Sequence, residues 1–156
     1  MNIDIDLEKK IISLINDFNS KKYKSIISQV NQLITSDIKV PIFYNLLGAS
    51  YSAINMDIDA VRAYQDALKI DPKNEEIIRN LAKSYSKLNE LDTAYEYFER
   101  ANTIRPNNAD TLFGMGLLDL KNKNYIESVK KFNLAIKFSK HFFQAYYNLA
   151  IAQSFL

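Results

Sequence analysis

The sequence predicts an all-α fold, an array of antiparallel helix pairs with about nine helices in 156 residues. Three observations carry that prediction. In the stretch from Glu75 to Pro106, Ile78, Leu81, Ala82 and Tyr85 fall on one side of a helix, and Ala94, Phe98 and Ala101 on one side of a second. That is the spacing of three and four at which helical side chains share a face. The pattern then recurs: Tyr44, Leu47, Gly48, Tyr51, Ala60, Tyr64, Ala67 and Pro72 each stand 34 positions before a counterpart, as Pro72 does before Pro106. Leu112, Met115, Gly116, Ser128, Phe132 and Ala135 continue it, and Tyr146, Leu149 and Ala150 open a further copy. A fixed period of this length marks a helical-repeat array. Finally, 47% hydrophobic residues with only 3 Gly, 3 Pro and little Val supply a core without the composition of a sheet.

Taken in order, Leu7, Ile11, Leu14, Ile15 and Phe18 make a first stripe, with Asp4 or Asp6 placed to cap it through a side-chain oxygen. Asn19-Ser20 breaks that helix, and Tyr23, Ile26, Ile27, Val30, Leu33 and Ile34 form the return helix. Pro41 sits where a first helical turn accepts proline. The helix from Pro41 to Ile54 ends at Asn55, and Asn89 holds the same place one copy later. Asparagine accepts the left-handed backbone such a turn needs. Asp57 to Ile70 returns and is closed by Asp71-Pro72; Asp92 is placed to cap the helix ending near Arg105-Pro106. In the fourth pair Asp119 stands where Tyr51 and Tyr85 stand, and Lys140 replaces the closing proline. Gly114 and Gly116 lie within one turn, each costing about 1 kcal/mol of helix propensity relative to Ala. The reading is that this helix rotates so that Leu118 or Leu120 packs and Asp119 faces solvent, while Gly114 marks local softness or the approach of a ligand. The last stretch, from His141 to Leu156, reads as one helix with no return partner, leaving Phe143, Tyr146, Leu149, Ala150 and Phe155 as an uncovered apolar stripe. That points to a longer array or to self-association.

Length suits a single domain. A net charge of +2, from 20 basic and 18 acidic residues, gives no reason to expect a nucleic-acid or membrane partner. There is no cysteine, which excludes disulfides, thiolate chemistry and cysteine-bound zinc. The start carries acids where a secretory leader carries bases, and no apolar run reaches membrane-spanning length, so the chain as written reads as cytoplasmic. Catalytic patterns are absent. Gly114 and Gly116 lie inside a helix rather than in a phosphate loop, and His141 is the lone histidine. Glu75, Glu76, Glu96 and Glu99 read as helix-surface charge, and Lys121 to Asn124 as a solvated turn. No catalytic, cofactor-binding or metal residue is assigned.

The signature positions matched in successive copies resemble the tetratricopeptide repeat (TPR) family. The resemblance implies a right-handed α-α superhelix, with a degenerate N-terminal pair at 1–40, repeats at 41–74, 75–108 and 109–142, and the first helix of an incomplete repeat at 143–156. The first pair departs from the family, with Ile26 and Leu33 where it prefers small residues, which implies looser helix approach. The family's concave groove is lined by the first helix of each pair. Carried over by position, it would show Asn45, Ala49 and Ser52; then Glu76, Arg79, Asn80, Lys83 and Lys87; then Phe113, Leu117 and Lys121; and finally Tyr147, Asn148 and Ile151. The implied partner is an extended peptide, acidic near Arg79 and Lys83 and apolar near Phe113 and Tyr147. The chaperone-adaptor type, which grips a C-terminal carboxylate, needs Lys and Asn where this chain has Asn45 and Ala49. The asparagine ladder of the O-linked N-acetylglucosamine transferase type is matched by Asn80 and Asn148 but interrupted by Leu46 and Gly114. The function expected is a non-catalytic protein-interaction scaffold; the alternatives are the TPR module of a larger enzyme such as a glycosyltransferase, recruiting its protein substrate, and a self-assembling scaffold.

Overall fold

The computed structural model describes residues 2–36 and 38–156, with side chains from Asp6 onward. Among these residues there are nine α-helices and no strand: α1 (Asn2–Asn19), α2 (Tyr23–Thr35), α3 (Pro41–Ala53), α4 (Asp57–Ile70), α5 (Glu75–Lys87), α6 (Leu91–Ile104), α7 (Ala109–Lys121), α8 (Tyr125–Phe138) and α9 (Phe143–Gln153). They form two compact units, one running through Ser84 and one from Tyr85 to Leu156, so that α5 begins in the first and ends in the second.

In the first unit, Leu14, Ile26, Val30, Phe43, Leu47 and Ala63 form a core around which Leu7, Ile11, Phe18, Ile27, Leu33 and Tyr51 pack. Ile15 lies off that stripe and is exposed. The close approach of α3 and α4 depends on Gly48, where an added Cβ would lie 2.7 Å from Tyr64 Cε1. In the first pair the places of Gly48 and Tyr64 are held by Leu14 and Val30, both buried. Bulk has moved from the return helix to the outgoing one, a swap that conserves volume.

The second unit repeats the scheme with α7 and α8. A Cβ on Gly116 would lie 2.7 Å from Phe132 Cε1, and Ser128, at the place of Ala60 and Ala94, donates its hydroxyl to the Gly116 carbonyl at 2.8 Å. Gly114 is neither soft nor open. Its Cα is pressed against the Phe98 ring, and an added Cβ would stand 2.5 Å from Cε1. The residue is small because α6 and α7 meet there, which corrects the expectation of a ligand approach.

Asp119 corrects a second expectation. The helix does not turn it outward: Asp119 is 5% exposed beside a buried Leu118. Burial pushes its carboxyl above the usual range, and the Glu127 charge adds to this; the Lys131 ammonium and the Asn124 side chain pull the other way. Oδ2 has no hydrogen-bond partner. One copy earlier, the same two places as Asp119 and Lys131 are Tyr85 and Tyr97, whose rings stack with centroids 5.4 Å apart. The fourth pair has exchanged an aromatic contact for opposite charges.

The turns within pairs repeat at the same period. Lys21, Asn55, Asn89 and Lys123 all have φ between 58° and 65°, so the two asparagines do adopt the left-handed backbone, and two lysines share the place. Helix starts follow suit. Asn108 Oδ1 accepts from the amides of Asp110 and Thr111, and Asn74 Oδ1 accepts from that of Ile77, so that α7 and α5 are capped at positions 34 apart. Pro41 is at the first position of α3. The anticipated aspartate caps are not used: Glu90 precedes α6 and Asp92 lies within its first turn, while α1 begins before Asp6. The side chain of Asp4 lies outside the described residues. Lys121 to Asn124 are exposed, and Lys121 also donates to the Ser86 carbonyl at 3.1 Å near the end of α5.

Candidate functional site

Each unit presents a first-helix face of its own. In the first unit, α3 and α5 are joined by a short chain of polar side chains. Asn80 Nδ2 donates to Asn45 Oδ1 at 3.3 Å, and Asn45 Nδ2 donates to Glu76 Oε1 at 3.2 Å. The cap at Asn74 fixes where α5 starts and therefore which residues share this face. Asn45, Arg79 and Asn80 are half-buried, and Lys83 is exposed. Arg79 Nη1 lies 3.0 Å from Glu75 Oε1 one turn earlier, with side chains 13% and 10% exposed. Glu75 is thus no freely solvated surface charge, and its pairing was not legible as more than an i,i+4 spacing. The Arg79 Nε is buried and has no partner.

In the second unit the positions diverge in character. Phe113 is mostly a packing residue: its ring centroid lies 4.7 Å from that of Phe142 and 5.6 Å from that of Phe132, beside the cluster of Leu112, Ala135 and Ala145. Lys87, Leu117 and Tyr147 are exposed, Tyr147 to 69%. Asn148 donates to the Gln144 carbonyl of its own helix at 2.8 Å, and Ile151 is half-buried. Two shallow hollows occupy equivalent places in the two units. One of about 320 Å³ is lined by Lys21 to Ser25 with Ile54, and one of about 430 Å³ by Lys123 to Glu127 with Leu156. Neither includes a first-helix face residue named above. Among the described residues no group of His, Cys, Asp and Glu is placed to hold a metal ion, and no helix is long and apolar enough to cross a membrane.

Tetratricopeptide-repeat models match residues 42–74 and 63–96, the stretches whose glycine, alanine and ring positions are described above. The repeats of residues 42–96 belong to the tetratricopeptide-repeat (TPR) family. The chain's helices have the fold of solved structures with little sequence in common. A crystal structure of MamA protein superposes with a TM-score of 0.80 at 17% identity, covering 99% of this chain and 84% of that one. The first TPR of Spaghetti (RPAP3), bound to the HSP90 peptide SRMEEVD, gives 0.69 at 17% identity, covering 75% and 96%. By sequence, the N-terminal acetyltransferase A complex auxiliary subunit NAA15 of Arabidopsis thaliana is 28% identical over 97 residues, 62% of this chain. The chain spans 11% of the length of that relative. Within the TPR pattern, what the sequence missed is the pair of asparagine caps and the Asn45–Asn80 bond. Asn74 and Asn108 stand 34 apart just before helical patterns, and that signal was sufficient to find them.

Proposed function

We propose that this TPR chain is a non-catalytic interaction scaffold that holds an extended segment of a protein partner against the first helices of its pairs. The observation that carries this reading is the amide chain from Asn80 through Asn45 to Glu76, joining the first helices of consecutive repeats on an accessible face. An asparagine amide donates and accepts at once, so a peptide backbone N–H and C=O can replace the Asn–Asn bond one for one. Such an exchange leaves no buried group unsatisfied, and a few anchors then dominate the affinity. The TPR of RPAP3, which shares the fold, holds a peptide. In the second unit the exposed Leu117 and Tyr147 offer apolar contact to the same class of ligand. A cytoplasmic setting suits this role. Pull-down with the native chain against an Arg79→Glu/Lys83→Glu variant tests it: at least one partner is lost from the variant, whereas unchanged recovery of every partner removes the model.

The exposed face of α9 supports a second reading, self-association. Tyr146 and Ala150 hold the places at which Leu112 and Gly116 are covered by α8, and here both are exposed, with Phe143 at 74%. Light scattering over a concentration series should show mass rising with concentration, less so for Tyr146→Glu; a monomeric mass throughout rejects it. The likeness to an auxiliary subunit of an acetyltransferase complex supports the related reading of a recruiting module beside a catalytic partner.

A further inference from the structure

We infer that the outer face of α8 lies on membranes whose surface is anionic, its lysines meeting the lipid headgroups and its apolar side chains entering the boundary beneath them. The whole-chain charge of +2 conceals an uneven distribution. From Lys121 to Leu156 there are six lysines, no arginine and one acid, Glu127, a net +5; the residues before Lys121 hold 14 basic and 17 acidic side chains. Such an asymmetry along one chain points to a polyanionic surface. The surplus lies among exposed apolar side chains. Ile126, Lys130 and Leu134 fall one turn apart on the solvent side of α8, and Lys137 and Phe138 continue that side to the end of the helix. Ile126 is 60% exposed, and Leu134 and Phe138 are exposed as well. Lys123 and Leu156 line the same hollow of about 430 Å³ as Ile126, and Phe155 stacks on Tyr125, so further basic and apolar groups adjoin the start of the helix. The packing that the repeats share does not ask for these residues. At the places of Ile126 and Leu134, α2 has Lys24 and Gln32, α6 has Asp92 and Arg100, and α4 keeps an isoleucine but pairs it with Asp66.

Residue type selects among polyanions. Single-stranded nucleic acid is held by rings that stack on bases, and duplex DNA chiefly by arginine forks; Ile126 and Leu134 cannot stack, and the stretch has no arginine. A fluid headgroup layer needs neither. A lysine lays its stem along apolar neighbours and carries its ammonium outward to phosphate, while aliphatic and aromatic side chains at the same level leave water. Lys137 already stands 5.9 Å from the centroid of the Phe138 ring. Lys130 holds Glu127 at 2.6 Å, so the one acid of the stretch is answered from its own helix. Among the described residues no helix is long and apolar enough to cross a bilayer, so this contact is with the surface alone. It uses a return helix and depends on neither reading above.

The test uses the full chain as native protein, Lys130→Gln/Lys137→Gln, Lys130→Arg/Lys137→Arg and Leu134→Trp, all checked for equal helicity by circular dichroism. Each is titrated with vesicles of phosphatidylcholine and phosphatidylglycerol in equal parts, and with vesicles of phosphatidylcholine alone. Poly-uridylate and poly-glutamate stand for a nucleic acid and an acidic protein. Cosedimentation reads vesicle binding, and polarisation of a labelled chain reads the two polymers. The chain has no tryptophan of its own, so emission from Leu134→Trp reports the surroundings of the α8 face. The expected result is binding to the anionic vesicles and not to phosphatidylcholine. The Gln pair binds about 25-fold more weakly, from a factor of about five for each lysine near an anionic surface. The Arg pair binds as the native chain does, and the tryptophan emission shifts to the blue on the anionic vesicles. Absence of binding to those vesicles, undiminished binding by the Gln pair, tighter binding of either polymer, or unshifted emission from the bound chain overturns the proposal.

Discussion

Lys123 has φ 62° at a place where Asn55 and Asn89 serve in the neighbouring repeats. A lysine there bears the steric penalty of the left-handed region that Gly escapes and Asn tolerates. Lys123→Asn is expected to stabilise the chain by about 0.5–1 kcal/mol in denaturant melts, and Lys21→Asn to act alike. Gly114→Ala separates two effects of opposite sign. Helix propensity alone predicts a gain of about 1 kcal/mol, whereas the Phe98 ring in the way predicts a net loss of about 1–3 kcal/mol. A stabilised Gly114→Ala chain would mean the α6–α7 contact is looser than described. Asp119 makes stability depend on pH. Its folded carboxyl holds its proton to higher pH than the unfolded one, so the penalty is absent below the ordinary carboxylate range and grows as pH rises through the folded value. Asp119→Asn should therefore raise the melting midpoint at pH 7 by about 2–4 °C for each kcal/mol relieved. The gap should close toward pH 3; a constant gap would assign the effect to packing instead.

At the scale of the helix, the sequence announced where elements run better than how they begin. The 3.6-residue periodicity is a property of the apolar face, and it placed α4 at Asp57 to Ile70 and located the core positions named from the second pair to the fourth, of which Tyr51 and Tyr85 are half-buried and the rest buried. Caps depend on a single side chain reaching one or two amides, and several residue types do this equally well. Asp92 was therefore as plausible a cap as Asn74, although only the asparagine is used. Asn108→Ala is expected to destabilise α7 by about 1 kcal/mol, seen in hydrogen exchange as faster opening of residues 109–113; unchanged exchange there would leave the cap without energetic weight. The reading of Asp119 failed for a similar reason. Periodicity placed it on the packing face, and hydrophobicity argued for turning that face away. The neighbouring Leu118 and Met115 hold the helix in phase, so the carboxylate goes in with them.

For the whole chain, the repeat phase was fully legible because it is a long-range regularity that chance rarely produces. Side-chain partnerships across repeats were not. The Asn45–Asn80 bond joins residues 35 apart, and no single-sequence pattern distinguishes it from two asparagines facing water. The Arg79–Glu75 pair likewise turned an apparently free cation into one already answered. The central claim is that a TPR chain of this kind works through the faces of its first helices. Site-specific photo-crosslinking in cells tests it most directly, with a photoreactive residue placed at Ala49 or Lys83 on first helices and at Arg62 or Glu96 on exposed return-helix positions. Adducts of higher mass from 49 and 83, and none from 62 and 96, are the predicted result; adducts confined to 62 and 96 would contradict it.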